Sequence, residues 1–222
     1  TTSVANTRMR LFVDDTLHGL GLLSLALKKF DVALMNPPFG EVTRNTISYL
    51  NEHYPRSKGN ILAHFIERME QLLIPNGRVG AIVSRTCFYL QTFAGFRRSV
   101  LSDRLSLECF ADLGLGVLDA MVETAACTWT ARALSNDSKA VFIRLLNVAD
   151  KAGLLLKSLH LVTIGVYESN CFDVKPAQFS VLADRPYVYW LRAEVLRKLA
   201  AYPPLDPTIC SIRVGLQTGD DF

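Results

Sequence analysis

The chain has 222 residues, half of them hydrophobic, with a formal net charge of +3. That is enough apolar material for a sizeable core, yet no run approaches the ~18 apolar residues of a membrane span, and no secretory leader is visible. Five cysteines at 87, 109, 127, 171 and 210 show no paired spacing. They argue against a disulfide framework or a zinc site and fit reduced thiols in a cytoplasmic enzyme with no metal and no membrane association.

Arg10-Leu11-Phe12-Val13-Asp14-Asp15-Thr16-Leu17 reads as a short strand over 10–14 that ends in acids. Asp15 or Thr16 then suits the N-cap of the segment from Leu17 to Lys29. Gly19-Leu20-Gly21 lacks the third glycine and the context of a dinucleotide fingerprint. The apolar run Phe30–Met35 predicts a buried strand of a parallel sheet, with Asn36 at its carboxyl end, where open α/β sheets bind ligands. Asn36-Pro37-Pro38-Phe39 follows, then Gly40. Two prolines fix φ twice and remove two backbone donors, so this loop is stiff and leaves the ladder. It presents an amide oxygen, the Pro37 carbonyl and an aromatic ring. Those groups suit a planar amine, with acceptors for its NH2 and a face to stack on its ring.

Arg44, Arg56 and Lys58 lie on the next segment, placed to close over an anionic ligand. Asn60 caps a predicted helix from Ile61 to Leu73, whose Ile61, Leu62, Phe65, Ile66, Met69, Leu72 and Leu73 share one face. Phe65 reads first as a core residue, and His64 as a surface or supporting one. Pro75-Asn76-Gly77 stops the helix, and a buried strand follows to Ser84. Arg85, Arg97, Arg98 and Arg104 surround a helix near 93–101 and suit either phosphates or a solvated face. Further strands are predicted at 107–113, 125–133 and 140–147. Gly114-x-Gly116 between the first two is again no dinucleotide fingerprint. Residues 150–183 give a mixed pattern. A helix through about Tyr202 follows Arg185-Pro186-Tyr187-Val188-Tyr189-Trp190-Leu191, with Trp190 as an anchor against the domain.

The Asn-Pro-Pro-Phe motif, its preceding strand and the helix–turn–strand after it resemble the amino-methyltransferases that make N6-methyladenine from S-adenosylmethionine. The resemblance implies an α/β fold: a partial class I S-adenosylmethionine-dependent methyltransferase sheet, Rossmann-like, with a C-terminal helical connector. It implies catalytic roles for Asn36, Pro37, Pro38 and Phe39. The Asn36 side-chain oxygen and the Pro37 carbonyl would accept from the target amino group, and Phe39 would stack on the base once it is flipped out of duplex DNA. By position, Asp15 matches the acid that binds the cofactor's adenine amino group, and Phe65 matches an aromatic that reaches the same adenine in some relatives. Met121 and Val122 lie in a block similar to the one that completes the target-base pocket; an edge hairpin is the alternative reading there.

The order of motifs through the tail is similar to that of large phage-defence enzymes of the BREX type and of type IIG restriction–modification enzymes. Residues 1–150 would then be the later half of a catalytic domain and 151–222 a connector toward a target-recognition domain, with other defence-system subunits as partners. The family's Gly-rich methionine-binding turn and ribose-holding acid have no counterpart in the sequence, nor does a permuted copy after residue 120. The resemblance thus implies an internal fragment. Guanine-N2 methyltransferases of ribosomal RNA carry the same motif, and enzymes that methylate a glutamine side chain carry its tyrosine version. A non-catalytic DNA-binding module is the alternative from outside enzymology.

Overall fold

The computed structural model describes residues 2–40, 42–57, 60–118, 121–203 and 208–210. Its centre is a six-stranded sheet in the order β1-β2-β4-β3-β5-β6. The strands are β1 (Phe30–Met35), β2 (Leu73–Ser84), β3 (Ser106–Gly114), β4 (Thr124–Thr130), β5 (Ala140–Arg144) and β6 (Cys171–Val174). β1 runs parallel to β2, β4 is antiparallel to both β2 and β3, β5 is parallel to β3, and β6 closes the far side antiparallel to β5.

Side chains alternate across this sheet, as the two-residue period of a strand requires. Val79, Val83, Phe110, Trp129 and Phe142 face one side and pack with Leu62, Ala63 and Ile66 of α3 (Ile61–Leu72), which follows the short α2 (Ile47–His53). Phe88, Phe179, Tyr187 and Tyr189 complete that core; Phe142 stacks on Tyr189 with ring centroids 4.9 Å apart. Ala111, Leu113, Ile143 and Leu145 face the other side, under Leu154, Leu155 and Val162 of α5 (Lys151–Thr163). The mixed segment 150–183 thus resolves into α5, β6 and a 3-10 turn at Pro176–Val181. Residues 187–189 pack into the core on the α3 side of the sheet, ahead of α6 (Ala193–Ala201).

The capping prediction holds at α3, where Asn60 Oδ1 accepts from the Leu62 N–H at 3.0 Å. The helix ends one residue earlier than expected, and β2 starts at once. Pairing jumps from Phe30–Leu73 to Val32–Arg78, so residues 74–77 bulge from the ladder, with Asn76 at φ +62°. Gly77 is needed here because a Cβ would sit 2.9 Å from the Ile74 carbonyl and 3.1 Å from those of Phe30 and Asp31.

Five expectations are corrected. Residues 10–14 are not a strand but lie in α1 (Thr2–Leu27). A strand needs a ladder partner, and among the described residues none lies beyond β1; helical bonding satisfies this backbone instead. Thr16 is not a cap, since its hydroxyl donates back to the Phe12 carbonyl at 2.7 Å inside the helix. His64 is buried, with Nδ1–H donating to the Asn60 carbonyl at 2.6 Å, while Phe65 is 39% exposed on the outer side of α3. Arg97, on α4 (Ala94–Ser99), is buried rather than phosphate-facing: its guanidinium donates to the carbonyls of Cys87, Leu90 and Asp184 at 2.8–2.9 Å.

Candidate active site

Asn36 sits at the carboxyl end of β1, exposed, directly before the buried ring of Pro37. Phe39 is half-buried, one side against the sheet core, and Gly40 turns the chain with φ +130°. The tetrapeptide stands between two cavities. One, of about 410 Å³, is lined by Phe39, Gly40, Asn60, Ser84, Thr86, Phe93, Met121, Val122 and Glu123 among others. The other, of about 680 Å³, is nearly all apolar, with Asn36, Leu34 and Met35 at one end and Leu155 and Leu159 of α5 opposite.

The first cavity has the makings of a nucleobase site. It is built where β2 ends and β4 begins, so rigid strands carry its floor while loops form its walls. Phe39 supplies an aromatic face, Ser84, Thr86 and Asn60 supply hydrogen-bonding groups, and Met121 supplies a flexible apolar wall, 94% exposed. Ser84 and Thr86 are bonded to each other, Oγ to Oγ1 at 2.8 Å. Burial raises the Cys87 thiol at the cavity's base well above its ordinary range, so it is no nucleophile.

The chain leaving the Asn-Pro-Pro-Phe loop is tied to α3. Glu67 is fully buried and accepts from Ser57 Oγ at 2.6 Å and from Arg56 Nε at 2.9 Å. Arg56, expected to close over an anion, is thereby committed to α3; Arg104 pairs with Glu70 at 3.8 Å. Arg44 and Arg98 stay exposed, and Lys58 lies outside the described residues.

The fold therefore brings Phe39, Met121 and Val122 to one cavity, while Asn36, three residues before Phe39 across Pro37 and Pro38, lines the other. It does not bring Asp15 or Phe65 to them: Asp15 is exposed along α1, and Phe65 lines neither cavity. Asn60, Ser84, Thr86, Phe93 and Glu123 line the cavity without having been singled out for it. The signal that pointed to four of them was positional, since Asn60, Ser84, Thr86 and Phe93 lie at a strand's carboxyl end or a helix N-terminus near the motif, whereas Glu123 precedes the amino end of β4.

Residues 10–112 match the family model of the Eco57I restriction-modification methylases. The chain is 22% identical over 205 residues to an adenine-specific methyltransferase PglX of Lacticaseibacillus casei (strain Zhang), covering 87% of this chain and 16% of that protein. Among solved structures, a component of a type I restriction–modification system overlays with TM-score 0.55 at 17% identity, over 79% of this chain and 42% of the other. A modification subunit of a type I restriction enzyme from Vibrio vulnificus gives 0.54 at 15% identity, over 68% and 35%. The type IIG restriction endonuclease BpuSI gives 0.53 at 16% identity, over 71% and 20%. These overlays show that the chain shares the fold of the matching part of each of those proteins. The chain spans about a sixth of the curated relative's length.

S-adenosylmethionine is the cofactor that family and fold imply. The residues present fit the acceptor side of such a site. Asn36 alone among the charged or amide side chains lines the 680 Å³ cavity, and no carboxylate lines it to receive ribose hydroxyls or an ammonium group. Among the described residues, no three His, Cys, Asp or Glu side chains cluster to hold a metal, and no helix is long and apolar enough to cross a membrane.

Proposed function

We propose that this chain carries the base-accepting half of a DNA methyltransferase that transfers a methyl group from S-adenosylmethionine to adenine N6. One observation carries the reading: Asn36-Pro37-Pro38-Phe39 ends β1 beside a cavity of base size, with Phe39 on its wall and Met121 and Val122 facing in from a distant loop. The bound cofactor supplies an electrophilic methyl group. Everything else is the protein's work. The adenine amino nitrogen is a poor nucleophile because its lone pair is delocalised into the ring. Asn36 Oδ1 and the Pro37 carbonyl accept its two N–H groups, which draws the nitrogen toward tetrahedral geometry and stabilises the positive charge that develops. Phe39 stacks on the extruded base and replaces the neighbours it has lost.

The similarity to PglX supports a role in phage defence or restriction–modification, with duplex DNA and other system subunits as partners and the cytoplasm as the site of action. The passage from α6 onward toward a target-recognition module belongs to the same proposal. It is supported by the exposed Val195 and Leu199 on an otherwise amphipathic helix.

The test is transfer of labelled methyl to unmodified duplex DNA by the natural polypeptide that carries this sequence, followed by nucleoside analysis. N6-methyladenine in the wild type, lost in Asn36→Ala, is the expected result. Transfer to RNA or to a protein glutamine, with none to DNA, would keep the chemistry and overturn the substrate.

A further inference from the structure

Arg85 leaves the end of β2 into a buried polar cluster. Its Nη2 donates to Asp112 Oδ2 at 3.1 Å, and Nε lies 2.8 Å from Oδ1 in an ionic contact not aligned for a hydrogen bond. Nη1 donates to Glu123 Oε2 at 2.9 Å, and the guanidinium stands 5.0 Å from the centre of the Tyr89 ring. Asp112 is fully buried, and its Oδ2 also accepts from the Tyr189 hydroxyl at 2.8 Å. Burial and Asp112 both raise the Tyr189 hydroxyl well above its ordinary range, so it stays a donor. Burial works against the charge on Arg85, but Asp112 and Glu123 outweigh it and keep the guanidinium protonated.

Glu123 is held twice, because the Arg85 main-chain N–H also donates to the Glu123 carbonyl at 3.0 Å. It is the last residue before β4 and follows Met121 and Val122; all three line the 410 Å³ cavity beside Phe39. The other end of this loop is fixed at Gly114, which has φ +66° and whose carbonyl accepts from Thr124 Oγ1 at 3.2 Å.

We propose that Arg85 is a positioning residue for the base site: through Glu123 it sets the Met121–Glu123 segment as a wall of the cavity, while Asp112 and Tyr189 hold the guanidinium in the required orientation. The inference rests on the methyltransferase reading above. Two carboxylates on different elements share one planar fork, a task a point charge does not perform, so lysine is not a substitute. The cluster also joins the segment before α6 to the base cavity, because Tyr189 reaches Asp112 across the sheet from the tail.

The experiment uses the natural polypeptide with wild type, Arg85→Gln, Arg85→Lys, Glu123→Gln and, as control, Asn36→Ala. Two readouts are taken: steady-state methyl transfer to unmodified duplex DNA, and hydrogen exchange of the amides in 115–123 without DNA. Both Arg85 variants are expected to lower kcat on the order of 10- to 100-fold, as loss of geometry at a reacting centre does. KM for S-adenosylmethionine should hold, and exchange in 115–123 should quicken. Glu123→Gln should shift both in the same direction by less. Asn36→Ala should abolish transfer and leave exchange untouched. Wild-type exchange and kcat in Arg85→Lys would overturn the proposal. Should Arg85→Gln fail to fold, Glu123→Gln, at a half-exposed side chain, decides: unchanged exchange in 115–123 overturns it. Wild type inactive on DNA, with the segment still freed in Arg85→Gln, overturns the adenine reading but not the anchor. Active wild type with unchanged exchange in Arg85→Gln overturns the anchor alone.

Discussion

Ser57 Oγ stands 2.6 Å from Glu67 Oε2, which fastens the chain that follows the Asn-Pro-Pro-Phe loop to helix α3. Both residues are buried, whereas Arg56, the other partner of Glu67, is only partly so. The bond to Ser57 is therefore the one that water cannot replace. Glu67→Ala leaves the buried Ser57 hydroxyl only its longer bond to the Tyr54 carbonyl, at 3.3 Å, and should cost about 1 kcal/mol, the usual net worth of one lost hydrogen bond. Glu67→Gln keeps an acceptor and should cost less. Guanidinium denaturation of the three proteins checks this; equal midpoints would show that the chain after the loop is not held here.

Gly77 offers a cleaner test of the β1–β2 junction. Carbonyl oxygens from both strands crowd the place of its missing Cβ. Backbone cannot step aside as a flexible side chain can, so Gly77→Ala should destabilise by roughly 1–3 kcal/mol, in the range of overpacking. A thermal melt reads it. Because β1 carries Asn36, activity in the natural polypeptide should fall as well. An unchanged melting temperature would mean that the bulge relaxes freely.

The features legible in the sequence were those set by local chemistry. Asn60 declared the start of α3 because an amide side chain before an apolar run caps a helix whatever the rest of the chain does. β1 and Asn36 were legible because a short apolar run ended at a Pro-Pro turn. The burial expected of that strand is not found: among the described residues β1 is an edge strand, with Val32 and Leu34 exposed. α1 was not, since Leu11-Phe12-Val13 suits strand or helix and only a neighbouring strand can decide. His64 and Phe65 exchanged their expected places because helical spacing defines a broad apolar face without fixing its edges; the bond from His64 to Asn60 draws that side chain inward. Of the site, the tetrapeptide was readable from its residues, while its meeting with Met121 and Val122 rested on resemblance. The Tyr189–Asp112 bond, 77 residues apart, leaves no local signature at all.

Phe39 has one side against the core and one on the cavity, so its two roles separate by substitution. Stacking on a base contributes about 1–3 kcal/mol, so Phe39→Ala should lower kcat/KM on DNA roughly 10- to 100-fold. Phe39→Trp keeps a π-face and should retain most activity. Melting temperatures of both variants separate lost packing from lost stacking. A fully active alanine variant with wild-type stability would remove Phe39 from the site.

The buried thiols make stability fall on the alkaline side. Burial pushes the Cys109 thiol up to about 11, and Cys87, Cys127 and the Tyr187 hydroxyl are raised by the same cause. These groups are neutral when protonated, so the folded chain holds their protons more tightly than the unfolded one does. The stability they add is fully present below the unfolded thiol value of about 8.5 and is lost as pH rises through the folded values. Denaturation midpoints should therefore stay level, as far as these groups contribute, from pH 7 to about 8.5 and drop between about 9 and 11. The same burial shields the thiols: of the five cysteines only Cys210 is exposed. Ellman's reagent at pH 8 should accordingly find one fast thiol, absent in Cys210→Ser, and release the rest only with denaturant. Rapid reaction of Cys87 or Cys127 in the native chain would mean that the core beneath the base cavity opens far more readily than its packing implies.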